Sequence, residues 1–268
     1  MTRLNVTWYH SAHRPRLPGM TFTTAFVTGA TSGIGAAIAR TLAADGLHVV
    51  VGGRDSARGS AVVDAIRAAG GKADFLAVDL GAAPGVLRTA VTEATELLGG
   101  RVDVLINSAG LYPVGPTEAL ADEDLDAMLA VNVRAPHVLV GALAPAMAER
   151  GSGAIVTIGS WMATLGGPFG ALYSATKAAD EQLTRSWAAE YGPRGVRVNA
   201  VAPGATATPG NEYAAEAVRA MAATTPAGVP LQPQDIADAV SFLVSDRARM
   251  VHGATFAVDG GITVARPA

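Results

Sequence analysis

Tyr173 and Lys177 stand four residues apart in the run Tyr-Ser-Ala-Thr-Lys. On a helix this spacing puts a phenol and an ammonium on one face, where a proton could pass to or from an oxygen. Tyrosine's ordinary pKa of ~10 makes it a poor acid–base group near neutrality, and a neighbouring cation favours the phenolate. Lysine is scarce in the chain, with only Lys72 and Lys177 present, so its place beside a tyrosine is more informative than usual. Tyr-x-x-x-Lys by itself still arises often by chance on helix surfaces. Three neighbours change those odds. Ser160 ends the apolar run Ile155-Val156-Thr157-Ile158-Gly159, and Asn107-Ser108-Ala109-Gly110 follows Val104-Leu105-Ile106. Asn132 is a lone amide in the helical run Val131-Asn132-Val133.

These residues need a frame, and the sequence supplies an alternating one. Apolar, β-branched runs predict strands at Ala25–Thr28, Val49–Gly52, Ala73–Val78, Val104–Asn107, Ile155–Ile158, Arg197–Ala202 and Thr255–Val258. Most lack a period of two, as expected of strands covered on both faces. Between them, helical periods fall near Ile34–Ala44, Ala57–Ala69, Gly85–Leu98, Ala127–Ala148 and Tyr173–Tyr191. Such alternation predicts an α/β, doubly wound (Rossmann) parallel sheet in one domain, with helices on both faces. Strand ends on its carboxyl side face the ligand crevice, which would gather Asn107, Ser160 and Tyr173 at one place. The stretch Pro203–Pro233 holds five prolines and one short helical piece; it is expected to form a flap over about 205–232.

The first strand runs into Thr28-Gly29-Ala30-Thr31-Ser32-Gly33-Ile34-Gly35, and a helix follows. Gly29 permits a sharp turn, while Gly33 and Gly35 keep side chains away from the helix N-terminus, where an anion such as a pyrophosphate is favoured. At the tip of the second strand, Val51-Gly52-Gly53-Arg54-Asp55 has glycine where an acidic residue would meet a ribose 2′-hydroxyl. Arg54 there can clamp a 2′-phosphate, so NADP(H) is expected over NAD(H). A solvated Arg54 paired with Asp55 is the plainer alternative. Asp79, before Leu80, is placed either to accept from the adenine amino group or to cap a turn.

Composition narrows the classes. Half of the 268 residues are hydrophobic, net charge is −3 and there is no cysteine. No basic face for nucleic acid or anionic membrane is implied; thiol chemistry is excluded, and a cytoplasmic setting suits the lack of cysteine. The apolar stretches read as strand-length. Residues 1–20 carry Arg3, Arg14 and Arg16 without an apolar core, so they are expected to form a loose extension rather than a secretory signal. The five histidines show no metal-ligand spacing.

Taken in order, the glycine turn, the Asn107-Ser108-Ala109-Gly110 segment, Asn132, Ser160, Tyr173 and Lys177 resemble the short-chain dehydrogenase/reductase family in its compact, 3-oxoacyl-reductase-like branch. Asn199-Ala200-Val201-Ala202-Pro203-Gly204 and Val258-Asp259-Gly260-Gly261 extend the resemblance over residues 22–262. It implies seven parallel strands, a homotetramer or dimer, and hydride transfer between NADP(H) and a carbonyl or secondary alcohol. Tyr173 would be the general acid/base, Lys177 its electrostatic partner and ribose holder, Ser160 the donor to the substrate oxygen. Asn132 would hold a water for a proton relay. The cofactor groove would take in Gly29, Thr31, Ser32, Gly33, Ile34, Gly35, Arg54, Asp79, Leu80, Asn107, Ala109, Gly110, Tyr173, Lys177, Pro203, Gly204, Thr206 and Thr208. Ser108 departs from the family's second asparagine there, which puts the bracing of that segment in question.

The substrate wall is expected from Leu111, Tyr112, Trp161, Met162, Phe169, Asn211, Tyr213 and Met221, together with Ser160 and Tyr173. These are mainly apolar and lack a cluster of cations, which favours a neutral, fairly hydrophobic ketone or alcohol. The competing readings are a non-catalytic NADP(H) sensor, which would be expected to lose Tyr173 or Lys177, and an extended-branch epimerase or dehydratase, which would need a further substrate domain.

Overall fold

The computed structural model describes residues 21–264; the expected extension at 1–20 lies outside them. Seven strands form one sheet: β1 (Thr24–Val27), β2 (His48–Gly53), β3 (Lys72–Ala77), β4 (Val104–Asn107), β5 (Gly153–Ile158), β6 (Val196–Pro203) and β7 (Thr255–Val258). Their spatial order is β3-β2-β1-β4-β5-β6-β7, and every pairing is parallel. β1, β4, β5 and β6 are buried at every position, which is why the sequence shows apolar runs without alternation. The strand order reverses between β1 and β4, and the crevice at that reversal is where such sheets bind ligands.

Helices cover both faces. On one, α1 (Gly33–Ala44), α2 (Ser56–Ala68) and α8 (Pro233–Val244) pack on residues such as Val27, Val51, Ile106 and Val201. The other carries α3 (Pro84–Leu97), α5 (Ala135–Glu149) and α6 (Ala171–Tyr191), packed on Phe26, Leu105, Ile155 and Val198. Helix α8 starts at a proline, and Asp235 Oδ2 accepts from Gln232 N at 2.7 Å at its first turn. The proline-punctuated reading of 203–233 hid this start, although proline at a first helical position is favourable. A short α7 (Ala215–Ala223) follows a 3₁₀ turn inside the expected flap.

The long helix expected at Ala127–Ala148 begins earlier and is not uniform. It consists of α4 (Asp122–Leu129), a π-helical turn over Ala130–Arg134, and α5. Its span, Asp122–Glu149, is long and apolar enough to cross a membrane, and 61% of its most apolar window is buried inside the fold. The expectation of only strand-length apolar stretches is therefore corrected: this helix is apolar because it lies in the core.

Candidate active site

Backbone packing dictates the glycine turn. Gly29 has φ +63°, and a Cβ there would lie 2.6 Å from Ala109 Cα; one on Gly35 would lie 2.3 Å from Gly29 O. No side chain fits either place. The β1 loop is thereby pressed against the β4 loop, and Thr28 fastens the two. Its hydroxyl donates to Ile106 O at 3.2 Å and accepts from Ser108 N at 3.1 Å. The segment with the departing Ser108 is thus braced from β1 through its main chain.

A groove of about 300 Å³ opens along this turn. Gly29, Thr31, Ser32, Gly33, Ile34 and Gly35 form its floor, and Arg54, Asp79 and Leu80 line one end. Ala109, Gly110, Tyr112 and Thr208 line the rest. Thr208 lies over the turn, with its Cβ 3.5 Å from where a Gly33 Cβ would stand. Asp79 Oδ1 accepts from Gly81 N at 2.9 Å, so the turn-capping alternative holds while the residue still borders the groove. Six expected cofactor residues sit off this lining: Tyr173 and Lys177, both on α6, and four more. Asn107 is buried at the end of β4, and Pro203 ends β6. Gly204 packs on Asp259, and the buried Thr206 hydroxyl donates to Gly204 O at 3.0 Å.

Arg54 and Asp55 do not pair. Asp55 caps α2, accepting from Arg58 N at 2.9 Å and Arg58 Nε at 2.8 Å. Hydrogen bonding from the Arg58 main chain and the pull of its guanidinium hold the Asp55 carboxyl below its ordinary value. Arg58 also borders the groove, a second cation that the sequence reading missed. Its signal was the Asp55-Ser56-Ala57-Arg58 start of α2, which points Arg58 back towards its own cap.

Tyr173 lies in the first turn of α6, and Lys177 one turn on. Lys177 is buried, and its Nζ donates to Ile158 O at 2.8 Å and to Asp180 Oδ2 at 3.0 Å. Burial works against the ammonium, but the Asp180 carboxylate and the nearby Tyr173 outweigh it and hold Lys177 above its ordinary pKa. Ser160 is buried just after β5, its Oγ accepting from Met162 N at 3.2 Å. Tyr112 meets Tyr173 edge to face, with ring centroids 6.4 Å apart. Burial, then Tyr213 and Tyr173, push the Tyr112 phenol up.

Asn132 is fully buried in the π turn. Its Oδ1 accepts from Leu111 N at 2.8 Å, and its Nδ2 donates to Leu111 O at 2.9 Å and Thr176 Oγ1 at 3.0 Å. The amide brackets the β4 loop to α6 next to Lys177, and the π turn is what turns it inward. Of the expected substrate wall, Tyr112 lines the groove, whereas Asn211 is spent inside its loop, donating to Thr206 O at 2.8 Å. Tyr213 is 81% exposed. Trp161 begins the 3₁₀ turn after Ser160. Phe169 has φ 66°, uncommon for a residue with a Cβ, and its carbonyl accepts from Gly115 N at 2.7 Å.

A family model described as enoyl-(acyl carrier protein) reductase matches residues 29–263. A solved short-chain dehydrogenase/reductase family protein superposes with a TM-score of 0.84 at 42% identity, over 92% of this chain and all of that one. The chain belongs to the short-chain dehydrogenase/reductase family. Cyclopentanol dehydrogenase of a Comamonas strain is 34% identical to this short-chain dehydrogenase/reductase over 240 residues, 88% of this chain and 95% of the relative. A blue fluorescent protein from a metagenomic library, solved in complex with NADPH, gives a TM-score of 0.84 at 37% identity, over 91% of this chain and 98% of that one. In this short-chain dehydrogenase/reductase, no group of three or more His, Asp or Glu side chains is arranged to hold a metal ion among the described residues.

Proposed function

We propose that this oxidoreductase moves hydride between NADP(H) and a neutral carbonyl or secondary alcohol, with Tyr173 as general acid/base. The observation that carries the reading is that Ser160 follows the carboxyl end of β5, while Lys177, one turn after Tyr173 on α6, donates to Ile158 O at that same strand end. The glycine turn suits a dinucleotide, since Gly29, Gly33 and Gly35 carry no side chain and the turn leads into the N-terminus of α1. Arg54 and Arg58 at one end of the groove suit a 2′-phosphate, and the NADPH complex of a relative supports a nicotinamide dinucleotide there.

When bound, the nicotinamide supplies or accepts the hydride. The chain's own residues do the rest. Ser160 Oγ donates to the substrate oxygen and stabilises charge gathering there. Tyr173 Oη gives its proton to that oxygen in reduction and takes it back in oxidation. The Lys177 ammonium favours the phenolate and holds ribose hydroxyls. Asn132 fixes the β4 loop against α6 and, through the carbonyls that a π turn frees, holds a water leading to Lys177.

Tyr112, beside Tyr173, makes the site apolar near the reacting atom, and a small cyclic ketone or alcohol fits that chemistry, as the cyclopentanol-oxidising relative does. A homodimer or homotetramer belongs to the same reading, supported by the edge strand β7 with its exposed Phe256. The test is NADPH oxidation over a panel of neutral ketones and aldehydes, repeated with NADH. Turnover on some members, weaker with NADH, is expected; NADPH binding without turnover on any carbonyl would overturn it.

A further inference from the structure

Behind Lys177, the face of α6 against the sheet is polar where a core helix is usually apolar. Thr176, Lys177, Asp180, Glu181 and Thr184 are all buried. Opposite them the strand pairing sets Asn107 beside Thr157, Thr157 beside Ala200, and Ala200 beside Thr255. Paired positions of parallel strands share a sheet face. Two residues earlier, Leu105, Ile155 and Val198 pack in one cluster with Trp187 and Tyr191 of α6, so this polar row looks at the same helix.

Asp180 is the focus of the layer. Its side chain is 1% exposed, Oδ2 accepts from Lys177 Nζ, and Oδ1 is buried without a hydrogen-bond partner among the described residues. Burying either charge alone is costly, so each member of such a pair depends on the other. The titratable and charged groups around them on α6 are Tyr173, Glu181 and Arg185, with Glu181 Oε2 4.0 Å from Arg185. Burial pushes the Asp180 carboxyl up against the pull of Lys177, and likewise the Glu181 carboxyl against the pull of Arg185. The strands and the π turn facing this part of α6 bring Asn107, Thr157, Thr255 and Asn132, none of which titrates.

We propose that Asp180 is a positioning residue that keeps Lys177 protonated and anchored one turn after Tyr173, and so sets the pH at which Tyr173 takes a proton from an alcohol. The proposal rests on the reading of Tyr173 as acid/base and assigns no chemical step to Asp180 itself. Without the carboxylate, burial favours the neutral amine, and the cation that favours the Tyr173 phenolate is lost.

The first test is the pH profile of kcat/KM for alcohol oxidation in wild type, Asp180→Asn and Asp180→Glu. Asp180→Asn is expected to move the acidic limb to higher pH by about one unit or more, with Asp180→Glu recovering part of the shift. A limb that stays in place, or moves to lower pH, overturns the proposal. The second test needs no turnover. Lys177→Met strands a buried carboxylate, and adding Asp180→Asn to it is expected to raise the melting temperature by about 5 °C. A double variant that melts no higher than Lys177→Met overturns the pairing. Absence of turnover in the wild type would count against the acid/base reading while this thermal comparison still decides on the pair.

Discussion

Asn132 Nδ2 donates to the Thr176 hydroxyl across 3.0 Å, tying the π turn of the long core helix to the residue just before Lys177. Together with the two bonds to Leu111, this makes one amide the joint between three elements that the crevice requires: the β4 loop, the α4–α5 run and α6.

Asn132→Ala removes that joint and leaves the Leu111 N–H and C=O without their partner. The expected result is a loss of about 2–4 kcal/mol in denaturant-monitored stability. A fall of about 10–100-fold in kcat/KM should accompany it as the Leu111–Tyr112 wall shifts. Unchanged kinetics in a folded variant would remove Asn132 from the site.

Arg54 and Arg58 border the same end of the groove. Arg54→Ala and Arg58→Ala are each expected to weaken NADPH binding by about tenfold, while NADH binding stays within about threefold. Fluorescence titration of both cofactors measures this. An equal loss for the two cofactors would mean that the arginines do not select a 2′-phosphate.

Asp103 fastens β1 to β4 where the strand order reverses. It accepts from Thr23 N at 2.9 Å and Thr23 Oγ1 at 3.0 Å, and pairs with Arg101. Burial alone would raise its pKa, but the Thr23 and Arg101 bonds outweigh it and hold the carboxyl below the ordinary 3.8. A depressed folded-state pKa gives stability that is complete above about pH 4 and lost as pH falls through the lower value. Asp103→Asn should therefore melt below wild type at pH 7, with the gap closing at acid pH. A gap independent of pH would contradict the assignment.

Arg197 lies buried on β6 and caps the end of α8. Its guanidinium donates to Val244 O at 2.9 Å, to Ser245 O and Ala248 O at 3.3 Å, and to Leu243 O. Leu243 and Val244 end α8, where a helix leaves its carbonyls unpaired and a cation is suited. Arg197→Met keeps the volume and loses every donor. A drop of about 2–4 kcal/mol, or about 5–10 °C in Tm, is expected; a smaller one would mean that the carbonyls find other partners.

Much of this frame was legible in the sequence because its signals are local. A strand buried on both faces reads as an unbroken apolar run, as Val49–Val51 does. A glycine turn followed by a helix declares itself by spacing, as Gly29 to Gly35 does. What stayed hidden depends on contacts between distant residues or on signals that mask one another. Pro233 read as loop punctuation, although it is the first residue of α8. Nothing near Asn132 in the chain marks the π turn, whose inward amide is defined by Leu111 and Thr176. Nothing in the chain separates Asp180 from the other charged residues of α6; its 1% exposure sets it apart.

The measurement closest to the central claim is kcat/KM of Tyr173→Phe beside wild type, on a ketone that the wild type reduces with NADPH. It should be paired with NADPH binding to both proteins. Loss of the only proton donor proposed for the carbonyl oxygen predicts a fall of about 10³-fold or more, with NADPH affinity within about threefold. A variant that binds NADPH and keeps its rate within tenfold of wild type would contradict Tyr173 as the acid/base.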